Sequence, residues 1–366
     1  MLKKTKVRLG ALVAAVAVIT VFGGVAAQAD PSAGTYKTLS GVGSDTIQDV
    51  ENGLATAIPA IGSYDATGSA TIQTKASPGI SFQRPNGSGA GQNALSASLD
   101  GSLFSTGVGT ATESISNQVD YARSSSGPST SLPGTDLTFI PFALDAVTYA
   151  VNAASDFPRD IPLGTAAQMT QTPKPFTLRN IYNCLVTHYT DGDGNSILIR
   201  PLLPQQGSGT RKFWLQTLGI TDGASLPGCV TDLSNSVEEH NGTFLTGPGD
   251  IAPFSVAQWI AQGNWSALPA PVTERRGDVV LGSIGGVKPF TIGVGTGAVL
   301  NTSFPVTRNV YNVVGTSRLS DPTIAATFVG TGSAFCTNTA IIKEYGFGTL
   351  GSLCGNTTLY KQAFTQ

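Results

Sequence analysis

Apolar residues recur at helical spacing in three stretches of the chain, and each stretch follows a glycine-rich turn with a hydroxyl residue. The turns and the apolar residues after them are Gly41–Thr46 before Ile47, Val50, Leu54 and Ile58, Gly87–Gly91 before Leu95 and Leu99, and Gly207–Thr210 before Phe213, Trp214 and Leu218. This spacing predicts three helices that each begin at a turn. Gly219 is the predicted C-terminal stop of the third helix.

A long run from Leu137 to Val151 is rich in β-branched and aromatic residues and is interrupted by Pro141. The run predicts a strand, and two interpretations remain open. It is either a crossing between two domains or a core strand with a bulge at the proline. Prolines between Phe157 and Phe176 then indicate a loop, after which Thr177 opens a predicted helix that continues through Leu185.

Composition narrows the class of protein. Of 366 residues, 21 are Lys or Arg and 23 are Asp or Glu, so only 12% are charged, while 40% are hydrophobic and 44 are glycine. No basic face for nucleic acid is visible, the glycines lack the three-residue period of collagen, and the chain is too apolar for a disordered protein. We expect a globular protein of two domains.

The N-terminus has the form of a secretory signal peptide. Basic residues precede an apolar stretch from Leu9 to Val25, and Ala27–Ala29 has the small-x-small form of a cleavage site. The alternative, a membrane anchor, needs a longer apolar run. We expect cleavage after Ala29 and a secreted protein of the cell wall or periplasmic space with 17 basic and 23 acidic residues. No cysteine lies near the cleavage site, so we expect no lipid anchor.

The four cysteines fit an oxidising compartment. They are Cys184, Cys229, Cys336 and Cys354. Three pairings are possible, and proximity favours Cys184–Cys229 with Cys336–Cys354. A metal site is the rival interpretation, but no Cys-x-x-Cys occurs and both histidines are remote in sequence, so we expect disulfides and no bound metal.

The glycine-rich turns also predict chemistry. A turn of this kind leaves free backbone N–H groups at the positive end of a helix dipole, which favours an anion, and glycine lets that anion approach closely. Ordinary helix capping is the alternative for any single turn. Three such turns favour an anion site.

Four segments, taken in order, resemble the ligand loops of extracellular phosphate-binding proteins of the PstS type. They are Gly41–Thr46, Gly87–Gly91, Asp120–Pro128 and Gly207–Thr210. In the same way Ile140–Val147 is similar to the first domain crossing of that family, and Asp250–Ser255 to its return segment. The ordered set covers nearly the whole chain after residue 29.

The resemblance implies a fold, a function and partners. The fold is α/β, of the two-lobed type II periplasmic-binding-protein kind, with mixed sheets, flanking helices and a ligand cleft between the lobes. Residues 30–144 with 266–366 form lobe 1 and residues 145–265 form lobe 2. The protein captures a small oxyanion, inorganic phosphate first, for an ABC transporter permease, as a monomer without a cofactor. The alternative is a secreted structural or adhesive protein that keeps this fold.

The resemblance also implies ligand residues. They are Ser44, Asp45, Thr46, Ser88, Gly89, Arg123, Ser124, Ser125, Ser208, Gly209, Thr210 and Arg211. Two positions depart from the family pattern, because Ser125 stands where an aspartate is usual and Pro204 where an arginine is usual. Arg123 and Arg211 are therefore the candidates for the cation, and Asp45 for the acid.

The sequence gives little support for an enzymatic activity. The Gly-x-Ser-x-Gly pattern of serine hydrolases does not occur, so we expect a binding protein and not an enzyme. The triplet Glu238-Glu239-His240 could form a proton relay, but we expect it to be a solvated helix end or turn.

Overall fold

The computed structural model describes residues 30–106, 112–223, 226–293 and 297–365. The predicted signal peptide and its cleavage site lie outside these residues. Within them, no helix combines the length and the apolar character that a membrane span requires. The helices are α1 (Gln48–Ala57), α2 (Ser88–Asp100), α3 (Leu178–Tyr182), α4 (Gly209–Leu218), α5 (Val256–Gly263), α6 (Pro322–Phe328), α7 (Ala334–Thr337) and α8 (Thr339–Glu344).

The strands are short except for two. They are β1 (Leu39–Gly43), β2 (Ile61–Ser63), β3 (Thr71–Gln73), β4 (Ser81–Gln83), β5 (Leu103–Phe104), β6 (Glu113–Ser114), β7 (Tyr121–Ser124), β8 (Leu137–Asn152), β9 (His188–Thr190), β10 (Ser196–Leu198), β11 (Arg200–Pro201), β12 (Asp250–Ser255), β13 (Val279–Leu281), β14 (Phe290–Gly293), β15 (Gly297–Leu300), β16 (Thr307–Gly315), β17 (Gly348–Thr349) and β18 (Lys361–Gln362).

One large mixed sheet organises the molecule, with helices flanking it. Its strand order is β11-β12-β8-β16-β7-β1-β2, and β13, β17 and β18 also pair with β8. Strand β1 is parallel to β2 and β7, whereas β16 is antiparallel to both β7 and β8. The predicted α/β class with a mixed sheet and flanking helices is confirmed.

The long strand β8 runs through both halves of this sheet. Its first part, Leu137–Ala146, pairs with β16, and its second part pairs with β12 and β13. The register with β16 shifts between Val310 and Tyr311, opposite Pro141. A bulge is where a sheet tolerates a proline, which has no N–H to donate. The predicted strand and its bulge at Pro141 are present, and a crossing between two domains stays a prediction.

The hydrophobic core changes along β8. Up to Ala143 its buried side chains pack with α1, α2 and α6–α8, and from Ala146 onward they pack with α3, α4 and α5. The change falls beside the expected lobe boundary at residue 144. On the return path, however, Ile284, Leu300, Phe304 and Val306 still pack in the second core. The sequence assigned all residues after 265 to lobe 1; Leu268 and Val272 pack in the first core, and these later residues pack in the second.

Local signals at the helix ends agree with the sequence in most places. Ser208 accepts hydrogen bonds from the N–H groups of Thr210 and Arg211 at the start of α4, and Gly219 ends that helix in the left-handed conformation. Thr177 caps α3 in the same way. The helix predicted through Leu185 ends at Tyr182, because Cys184 adopts a left-handed backbone with φ +59°.

Two disulfides cross-link the chain. Cys184 bonds Cys229 and Cys336 bonds Cys354, each with its Cα atoms 5.8 Å apart. The predicted pairing is confirmed. The first bridge ties the end of α3 to the segment before residue 230, and the second ties α7 to the segment that precedes β18.

Candidate functional site

The glycine-rich loops converge because of how the sheet is ordered. Parallel strands β1 and β7 end at the same edge of the sheet, so Ser44–Thr46 and Ser125–Ser126 lie side by side. Helix α2 begins next to them, where Asn86 bridges Gly43. The fourth loop comes from the other core, and its Gly207 carbonyl accepts a hydrogen bond from the Gly89 N–H at 3.0 Å. All four loops therefore meet, at the edge where α/β sheets bind ligands.

Five buried hydroxyl side chains form the centre of this meeting point. We call them the hydroxyl cluster: Thr46, Ser88, Ser125, Ser208 and Thr210. The Thr46 Oγ1 atom lies 3.2 Å from Ser125 Oγ and 3.3 Å from Thr210 Oγ1. The Ser88 and Ser125 Oγ atoms are 3.3 Å apart. Donors from four separate segments thus point into one small space.

A carboxylate of the chain itself occupies that space. Glu239 Oε1 accepts hydrogen bonds from Thr46 Oγ1 at 2.5 Å and Thr210 Oγ1 at 2.7 Å, and its Oε2 accepts one from Ser208 Oγ at 2.9 Å. The Glu239 side chain is fully buried. Burial and the charge of nearby Asp45 raise the pKa of Glu239 above its ordinary value. Three hydroxyls of the cluster therefore hold an oxygen anion already.

The cation at the cluster is Arg308, on β16. Its Nη2 donates to Thr210 Oγ1 at 2.7 Å and to Asp145 Oδ2 at 2.9 Å, and its Nε also donates to Asp145. The buried Nη1 of Arg308 has no hydrogen-bond partner among the described residues. A buried donor of this kind is costly to leave unpaired, so Nη1 is available to an anion that enters the cluster.

Close packing at Gly209 shows how little free volume remains. A Cβ atom at this position would lie 2.9 Å from the Ser126 nitrogen, and closer still to the Oγ atoms of Ser125 and Ser88. Only glycine fits here while the four loops are together. The same residue is the first of α4, so the N-terminus of that helix points at the hydroxyl cluster.

The two arginines expected to supply the cation lie elsewhere. Arg123 is fully buried and donates to the Ser44, Gly41 and Tyr64 carbonyls, at 3.1, 3.3 and 2.6 Å. Those bonds hold the first loop in shape. Arg211 donates to the carboxylates of Asp222 and Asp232. Carbonyls and acids thus bind the guanidinium groups of both residues, and neither group contacts the hydroxyl cluster.

The remaining predicted residues lie beside the cluster. Ser124 Oγ accepts from Gln92 at 3.0 Å and donates to the Ser126 carbonyl at 2.7 Å, so it shapes the third loop. The Ser44 Oγ is buried without a hydrogen-bond partner among the described residues. The acid inside the cluster is Glu239, whereas Asp45 pairs with His240.

Asp45 instead faces His240. Its Oδ2 lies 3.3 Å from His240 Nδ1, and Glu238 Oε2 lies 3.3 Å from Nε2 of the same ring. Burial lowers the pKa of His240. The Asp45 hydrogen bond and the charges of Glu238 and Asp45 outweigh this effect and raise the pKa to about 9. Arg275 Nη1, 2.6 Å from Nε2, opposes that rise. Burial would raise the pKa of Asp45, but the hydrogen bond and charge of His240 together with backbone hydrogen bonds outweigh burial, so this pKa is lowered.

These groups suit a hydrogen-bond relay better than a metal site. Ligand atoms of Asp45, Glu238 and His240 lie within 4.8 Å of one another. The two carboxylates, however, face opposite nitrogens of one imidazole, and Arg275 places a positive charge beside Nε2.

The sequence missed two residues of the site. Glu239 was expected in a solvated turn, yet the segment folds inward, because Gln205 N–H donates to the Val237 carbonyl and Ser255 N–H to the Glu239 carbonyl. Arg308 is the second residue of β16, and no sequence motif surrounds it. The available signal for Glu239 was a pair of adjacent glutamates before a histidine in a chain with few charges, and only the fold places Glu239 inside the site.

Comparisons with known proteins concern the overall architecture. No protein-family model matches the sequence, and no curated protein matches it significantly. Among solved structures, the chain is similar to an ABC-type phosphate transport receptor from Vibrio cholerae, at 15% identity and TM-score 0.48, over 85% of this chain and 100% of that one. It is also similar to a phosphate-binding protein from Stenotrophomonas maltophilia, at 15% identity and TM-score 0.46, over 87% and 92% of the two chains.

Proposed function

We propose that this chain is an exported solute-binding protein that captures a small oxyanion, with inorganic phosphate as the first candidate. The observation that carries the proposal is the Glu239 carboxylate in the hydroxyl cluster. Three hydroxyls already bind its two oxygens: Thr46 Oγ1 from the first loop, and Ser208 Oγ and Thr210 Oγ1 from the start of α4. Groups that hold one oxygen anion suit another, and each charge-assisted bond contributes about 1.5–3 kcal/mol.

The ligand set we assign is the hydroxyl cluster with Gly89, Gly209 and Arg308. The cluster supplies neutral donors, and Arg308 supplies one charge through its free Nη1. From its resemblance to the phosphate-binding family, the protein passes its solute to an ABC transporter permease. Ser125 both donates and accepts, so it can accept the proton of hydrogen phosphate but imposes no strong penalty on sulfate.

Thermal unfolding with increasing inorganic phosphate tests this function. A ligand at 100 times its dissociation constant adds about 2.7 kcal/mol to the free energy of unfolding. We expect a shift for the unaltered protein and for the exposed control Thr331→Val, and a smaller one for Thr210→Val. A parallel titration with sulfate measures selectivity. If no oxyanion changes the unfolding temperature, the chain is instead a structural or adhesive protein that keeps the fold.

A further inference from the structure

The Glu239 carboxylate joins the two halves of the molecule. Thr46, at the start of α1, belongs to the first core, whereas Ser208 and Thr210 belong to the end of α4 that packs on the second. All three hydroxyls donate to the same carboxylate. Glu239 therefore makes the contacts across the cleft that a bound solute would otherwise make.

The backbone around Glu239 is fixed in place. The Glu239 carbonyl accepts a hydrogen bond from Ser255 N–H at 3.0 Å, and the Val237 carbonyl accepts one from Gln205 N–H at 2.8 Å. The next residue, His240, faces Asp45 of the first loop. A carboxylate on so short a tether competes with free solute at a high effective concentration.

The cluster cannot hold Glu239 and an oxyanion together. The hydroxyl oxygens lie 3.2–3.3 Å from one another, and the space at Gly209 does not admit a methyl group. An oxyanion would also meet the negative charge of Glu239 at close range in a buried site, where repulsion is strong. Solute binding therefore requires that Glu239 leaves.

We propose that Glu239 is a tethered carboxylate that closes the cleft in place of the solute and must withdraw before an oxyanion binds. The withdrawal of Glu239 before an oxyanion binds rests on the proposed function. Closure of the cleft by Glu239 does not depend on that function. Burial and the charge of Asp45 oppose the ionised form of Glu239, so withdrawal of the side chain into water relieves an electrostatic cost.

The test compares four forms of the purified protein: unaltered, Glu239→Ala, Glu239→Gln and the exposed control Glu344→Gln. Calorimetry with inorganic phosphate measures affinity, and small-angle X-ray scattering without phosphate measures compactness. We expect both Glu239 variants to bind phosphate at least tenfold more tightly than the unaltered protein and the control. We also expect Glu239→Ala to be expanded without phosphate and to contract when phosphate is added.

The possible failures are distinguishable. Glu239 variants that bind phosphate equally or more weakly overturn the inference and leave the proposed function standing. If no form binds phosphate, the proposed function fails. Scattering then tests by itself whether Glu239 closes the cleft. An expanded Glu239→Ala protein then supports closure by Glu239, and one as compact as the unaltered protein overturns it. Glu239→Gln keeps the side-chain shape and removes only the charge, so it covers the case in which the alanine variant does not fold.

Discussion

Thr46 Oγ1 lies 2.5 Å from Glu239 Oε1, although 193 positions separate the two residues in the chain. The threonine precedes a helix of the first core, and the glutamate lies in an inward-folded turn beside the second. This hydrogen bond therefore forms only when the two halves are together.

Gly209→Ala should weaken phosphate binding at least tenfold. The added methyl group meets the Ser88 and Ser125 hydroxyls and the Ser126 nitrogen only when the loops are together, so it disfavours the closed form. Calorimetry measures the change. Gly332→Ala is the matched control, because it is exposed and nothing lies within 4 Å of its added Cβ. Equal affinities for both variants would show that the loops do not close on the solute.

Arg308→Lys should also weaken phosphate binding at least tenfold while the charge is kept. Arg308 reaches Asp145 through two nitrogens and Thr210 through one, and a single ammonium cannot reproduce that fork. Arg276→Lys alters a surface pair with Glu274 and serves as the control. A lysine variant that binds phosphate like the unaltered protein would remove Arg308 from the ligand set.

Glu51→Gln should make the protein more stable at alkaline pH. Burial raises the pKa of Glu51 to about 8, against the lowering effects of Arg123 and Tyr121. The unfolded chain loses this proton near 4.5 and the native protein near 8, so the free energy of unfolding falls with pH between these values, by about 1.4 kcal/mol per pH unit. Chemical denaturation from pH 5 to 8.5 should show a shallower fall for Glu51→Gln. The exposed control Glu344→Gln should follow the unaltered protein.

Asp45→Asn should lower the pKa of His240 from about 9, because the variant loses both a charge and a charge-assisted bond to the ring. The chain has two histidines, so imidazole resonances are readily followed by NMR during a pH titration. The control Asp278→Asn alters an exposed acid. An unchanged His240 titration in Asp45→Asn would mean that the two side chains are apart in solution.

Removal of either disulfide should destabilise the protein according to the loop it closes. The bridges span 45 and 18 residues, for which chain entropy predicts losses of about 4 and about 3 kcal/mol. Denaturation of C184S/C229S and C336S/C354S, each against the unaltered protein, measures both. A larger loss for the shorter loop would mean that native contacts, and not the unfolded chain, set the effect.

The elements around the site followed from local signals. Glycine turns with a hydroxyl predicted where α1, α2 and α4 begin, and the run from Leu137 to Val151 predicted β8. These signals are local because a cap or an apolar spacing involves residues within one turn or one strand. The cysteine pairing followed from short loop lengths.

The electrostatics of the site did not follow from the sequence. Arg123 and Arg211 stand beside the ligand loops in the chain, yet carbonyls and carboxylates take their donors in the fold. Arg308 and Glu239 are remote from those loops in sequence and meet them in space. Which charge faces which donor depends on contacts between distant segments, and a single sequence carries no signal for those.

Strand β8 also determines how the cleft can open. One uninterrupted strand of 16 residues carries both cores and pairs with β16 up to Ala146. Because the strand is continuous, opening of the cleft has to bend or twist β8 near Ala146, where its pairing passes from β16 to β12 and β13.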